Sequence, residues 1–67
     1  MTKEDVNYLL AIVSAKYRGF DPEDRTVAVD TWQRQLNSVS LNDAMQALSR
    51  LGDRYTVSPP DILSHIR

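Results

Sequence analysis

Few side chains in this chain could do chemistry, and their spacing does not assemble a reactive set. There is no cysteine, and His65 is the only histidine. Thiolate nucleophiles, disulfides and thiolate metal sites are therefore absent. No metal-ligand spacing surrounds His65. Ser14, Ser38, Ser40, Ser49, Ser58 and Ser64 each have a capping or solvent-facing role. Gly19 and Gly52 are isolated and each follows a helical pattern, so there is no glycine-rich phosphate loop. The carboxylates gather at helix N-termini, where they complement dipoles. The residues argue against an enzyme, and no cofactor or metal is expected.

What remains is the chemistry of contact. Arg50, Arg54, His65 and Arg67 converge at one end if the third and fourth helices pack as neighbours. The plainer account is a solvated helix end with dipole-complementing cations. Tyr55 stands beside Arg54, and both residue types are favoured interface anchors. Alternatively, Tyr55 folds back over the core around Trp32. Tyr8 and Ile12 lie nearly opposite the main apolar stripe of the first helix. A helix apolar on both sides is either sandwiched within its own domain or offers one side to a partner, which could be a second copy of the chain. The candidate partner-binding residues are thus Tyr8, Ile12, Arg50, Arg54 and Tyr55.

Four helical patterns must position them. Thr2 caps the first, with Asp5 placed as the acid of a capping box. Val6, Leu9, Leu10, Val13 and Tyr17 follow one helical face. Lys16 and Arg18 suit its C-terminal dipole, and Gly19 suits its stop. Asp21-Pro22-Glu23-Asp24 is a helix-start signature, so a second helix runs from there or from Arg25 to about Asn37. Val29, Trp32 and Leu36 give it an inward face, and Asp30 and Arg34 form an exposed pair. The β-branched residues Thr26, Val27, Val29 and Thr31 favour a strand, but the spacing of Val29, Trp32 and Leu36 is helical. Ser40-Leu41-Asn42-Asp43 opens a third helix that buries Leu41, Ala44, Met45, Leu48 and Leu51 and ends at Gly52. Residues 53–57 read as an extended connection. Ser58-Pro59-Pro60-Asp61 opens a fourth helix, with Ile62, Leu63 and Ile66 on its apolar side and Arg67 inside it. A helix that short must dock, or continue in a longer chain.

The fold class is therefore all-α, a small bundle of four short helices in a single domain, residues 1–67. Short connections favour packing of sequential neighbours around Trp32. The expected core is Val6, Leu9, Leu10, Val13, Val29, Trp32, Leu36, Met45, Leu48, Ile62 and Ile66. A chain of 67 residues buries roughly 60% of its unfolded surface, so that core works with little margin. The net charge of −1 does not suit a non-specific nucleic-acid binder. No apolar run approaches a membrane span. The acidic start, Glu4-Asp5, differs from a signal peptide, and a cytoplasmic location is expected.

The order of features resembles a phage family, the replicative-helicase loader-and-inhibitor proteins, in their N-terminal helical domain. The residues that carry the resemblance are Thr2-Lys3-Glu4 leading into an apolar helix ending at Tyr17, and Trp32 with Leu36. Asp43-Ala44-Met45-Gln46-Ala47-Leu48 and Pro59-Pro60-Asp61-Ile62 complete it. It spans nearly the whole chain. It implies a non-enzymatic adaptor that binds a replicative helicase or a replication-initiation protein during phage DNA replication, in the cytoplasm of the infected bacterium. Such proteins typically engage the helicase through a flexible polar C-terminal extension. This chain ends at Arg67 within the expected last helix, as in a truncated domain or a short protein that works with its folded part alone. The alternative is a small helix-turn-helix DNA-binding regulator. Helices two and three are joined by a suitably short turn, but the polar face Asn42, Gln46, Ser49 and Arg50 carries one cation.

Overall fold

The computed structural model describes residues 1–52 and 54–66. Asp53, in the expected extended connection, and Arg67, in the expected basic end, lie outside the described residues. Four helices follow one another: α1 (Lys3–Lys16), α2 (Arg25–Gln35), α3 (Leu41–Leu51) and α4 (Pro59–Leu63), with no strand among the described residues.

Each helix begins where a side chain can serve its unpaired N–H groups. At α1 the box closes in both directions: Asp5 N–H donates to Thr2 Oγ1 at 3.1 Å, and Thr2 N–H to Asp5 Oδ2 at 3.3 Å. At α2 the cap is Asp24, whose Oδ1 accepts from the N–H groups of Thr26 (2.9 Å) and Val27 (3.2 Å). The Asp21-Pro22 start is not used. Residues 21–24 instead let Phe20 fold back edge-on against Trp32, with ring centroids 5.4 Å apart. Ser40 Oγ accepts from Asp43 N–H at 3.1 Å to open α3. Gly52 ends α3 at φ 70°, ψ −156°, a region open essentially to glycine. Gly19 has no positive φ. It is not a left-handed stop, and α1 closes on Tyr17, whose N–H donates to the Val13 carbonyl.

Val6, Leu9, Leu10 and Val13 of α1, with Leu36, Ala44, Ala47 and Ile62, have no solvent exposure. Tyr17, Trp32, Val39, Leu48 and Val57 complete the buried hydrophobic set. The centre of the core is therefore the inner face of α1 rather than Trp32, which is the only buried residue of α2. Val29, Met45 and Ile66, expected inside, are half-buried, as are Leu41 and Leu51, while Leu63 is exposed. The fourth helix ends at Leu63, ahead of Ile66.

α1 packs on α2 and α3, and α4 packs on α3 and α2. The four make a ring in which α2 and α3, although sequence neighbours, lie on a diagonal and do not pack on each other. Leu36 and Val39 explain this. The turn between them, closed by Val39 N–H to the Leu36 carbonyl at 3.0 Å, puts both side chains into the core. The connection thus fills the space a direct helix contact would occupy. The Cα extents are 27 × 26 × 16 Å, so the thin direction holds two layers of helices.

One buried polar atom lacks a partner, the hydroxyl of Tyr17, a residue 1% exposed. Burying a hydroxyl without a hydrogen bond costs about 1–3 kcal/mol. Tyr17→Phe should therefore raise stability by about 1 kcal/mol or leave it unchanged, as read by urea denaturation. A loss above that size would show that the hydroxyl has an acceptor in solution.

Candidate protein-interaction surface

The outward side of α1 is a continuous uncharged strip. Residues 6–15 contain no ionisable side chain other than Tyr8. Tyr8 is 58% exposed, Ala11 and Ala15 are exposed, and Ile12 is half-buried. The helix is thus not sandwiched: its core stripe is sealed and its opposite face meets solvent. Beside this strip, α1 and α2 enclose an open groove of about 590 Å³. Val27, 59% exposed, and Val29 give it apolar walls, and Lys3, Glu4, Arg25 and Asp30 rim it. Arg25 fixes the groove's shape, donating from Nε to Asn7 Oδ1 (3.1 Å) and from Nη2 to the Asn7 carbonyl (2.9 Å).

A second area lies past the C-terminal ends of α1 and α3. Tyr55 is 75% exposed, yet its backbone is held: its carbonyl accepts from Gly19 N–H at 2.7 Å. Its ring lies against Gly19 so closely that a Cβ there would fall inside it. The tyrosine does not fold over the Trp32 core. It sits on the one residue type that lets a ring approach the backbone. Arg54 reaches Asp61 at 3.5 Å, and Arg50 Nη1 donates to the His65 carbonyl at 3.0 Å. Lys16 Nζ donates to the Leu48 carbonyl at 3.4 Å, at the C-terminal end of α3. His65 Nδ1 lies 2.9 Å from the Asp61 carbonyl, which can only accept, so this contact calls for the proton on Nδ1.

The fold therefore brings Arg50, Arg54, Tyr55 and His65 together, as packing of α3 on α4 requires. Tyr8 and Ile12 stand apart, on the middle of α1. Sequence reasoning misses Val27, whose β-branched side chain reads only as a helix-weakening feature. It also misses the seat that Gly19 provides, for which a single sequence carries no signal. Among the described residues, no group of three or more histidine, cysteine or acidic side chains could hold a metal ion. No helix is long and apolar enough to cross a membrane.

Asp61 is the one carboxylate whose pKa is clearly lowered from its ordinary value. The Ser58 N–H is the main cause, followed by the Ser58 hydroxyl, both donating to Oδ2 at 2.9 Å. Slight burial opposes the shift, and the charges of Arg54 and His65 add to it.

Fold and surface define a small all-α domain whose exposed features are contact side chains on fixed supports. The chain belongs to the family described as the N-terminal domain of a phage helicase loader/inhibitor, whose model matches residues 1–64. That family is not itself catalytic. No curated protein and no solved structure matches the chain.

Two outcomes follow from this geometry. The backbone at Gly19 tolerates a side chain, so Gly19→Ala should displace the Tyr55 ring and cost about 1–2 kcal/mol. In a Tyr55→Ala background the same change should be nearly silent, a coupling that a double-mutant cycle measures. A full penalty in both backgrounds would mean that the ring does not sit there. A depressed folded-state pKa contributes stability that is present above the unfolded carboxyl value, about 3.9. It is lost as pH falls through the folded value. The melting temperature should thus fall on acidification below about pH 4, and Asp61→Asn should flatten that acid limb while lowering stability at neutral pH.

Proposed function

We propose that this domain is a non-enzymatic protein-binding adaptor of phage DNA replication. In this reading it binds the replicative helicase or its loading machinery in the cytoplasm of the infected bacterium. The observation that carries the reading is family membership across residues 1–64. The surface supports it. An uncharged helical strip beside a groove with a mixed-charge rim suits a folded protein partner, since large apolar exposure marks such contacts. Tyr8 and Ile12 on α1 are the first contact set. Tyr55, seated on Gly19, and the neighbouring Arg50 and Arg54 are the second, because a preordered aromatic loses little freedom on binding.

The cations do not favour nucleic acid as the direct ligand. Lys16, Arg25 and Arg50 donate to backbone carbonyls, and Arg34 and Arg54 pair with carboxylates. They are engaged within the domain rather than arrayed toward phosphates. A helix-turn-helix also needs its two helices packed together, whereas α2 and α3 lie on a diagonal.

The test is capture from infected-cell lysate on the immobilised domain, with mass spectrometry of what is retained. The replicative helicase or an initiation protein should be enriched. Tyr8→Asp should lower that retention at least about tenfold, the scale of one lost interface anchor, without lowering the melting temperature. Recovery of metabolic or cell-division proteins alone would overturn the replication role.

A further inference from the structure

The backbone carbonyls just past α2 converge on the amino group of Met1. This α-ammonium donates to the carbonyls of Val39 at 2.9 Å, Asn37 at 3.2 Å and Leu36 at 3.4 Å. Gln33 Nε2 donates to the Met1 carbonyl at 3.3 Å, and the Met1 side chain packs on the core. The place is physically apt. The last carbonyls of a helix lack intrahelical donors, and the negative end of its dipole lies there. A primary ammonium brings a charge and three N–H groups, and three carbonyls face it.

We propose that the carbonyls of Leu36, Asn37 and Val39 form an ammonium site filled by the amine of Met1. The chemical state of that amine then sets how firmly the α2–α3 connection is closed. Leu36 and Val39 belong to the core, and α2 and α3 do not brace each other directly, so their connection depends on what ties it down. Transfer of an acetyl group from a thioester would form an amide at this nitrogen and release the thiol. It would remove the charge and leave one N–H where there were three. Excision of Met1 would empty the site. A chain with residues ahead of Met1 has a peptide amide there and falls with the acetylated form.

Chemical synthesis allows the amine alone to be varied. Three chains of the same sequence are compared, with a free, an Nα-methylated and an Nα-acetylated Met1. The methylated amine keeps its charge and two donors, and should melt within about 2 °C of the free chain. The acetylated chain should melt about 5 °C lower, the scale of one charged hydrogen bond in a domain of this size. Its amide exchange should quicken about tenfold at residues 36–40 and remain unchanged in α3. Equal melting of the free and acetylated chains would overturn the proposal, as would an equal loss in the methylated and acetylated chains.

Discussion

Val6, Leu9, Leu10 and Val13 present one fully sealed stripe on α1, and the remaining elements are arranged to cover it. A 14-residue helix spans about 21 Å, close to the width of the whole domain. α2 and α3 flank that stripe from either side, and α4 closes the ring between them. α4 is 5 residues long and could not persist by itself. It persists because Ile62 and Pro59 are buried beneath it and because its first turn is tied to Ser58 through Asp61. In a body 16 Å thick, few positions lie away from solvent, so alanines at 44 and 47 count as core: they allow close helix approach where a larger residue would not fit.

With no disulfide in the chain, the helix ends are tied down by short polar contacts. Thr2, Asp24, Ser40 and Ser58 with Asp61 serve the starts, each worth about 1 kcal/mol. The ends use cations, Lys16 on the Leu48 carbonyl and the Met1 amine past α2. These contacts employ the charged residues inside the domain's own architecture. The outward face of α1 is left comparatively free of charge, and it stands out as a place where another protein could gain contact area at little desolvation cost. Tyr55 shows the same economy at a smaller scale. A glycine takes its ring and a backbone hydrogen bond holds its position, so the exposed tyrosine is already ordered.

The helices themselves were legible in the residues. The period of Val6 through Tyr17, the spacing of Trp32 and Leu36, and the Thr2, Ser40 and Ser58 caps are local patterns, and local geometry decides them. The family was legible for the same reason, since its signature is an order of such local motifs. Two local signals were outvoted. Asp21-Pro22 could have begun α2, but Phe20 reaches Trp32 only if the chain stays extended to Asp24. Gly19 could have been a left-handed stop, but its lack of a side chain serves a ring 36 positions further along the sequence.

What the sequence by itself determined was the set of helices, their caps and the sealed side of α1, because each depends on side chains within a turn or two of one another. Tertiary structure alone decided that α2 and α3 lie on a diagonal and that Val39 and Val57 join the core. It also decided that Arg50, Arg54 and Tyr55 gather at one end while Tyr8 and Ile12 stay apart. Those outcomes depend on which apolar surfaces meet across long chain separations, and the volume available in a two-layer body settles that, not the period of any one helix.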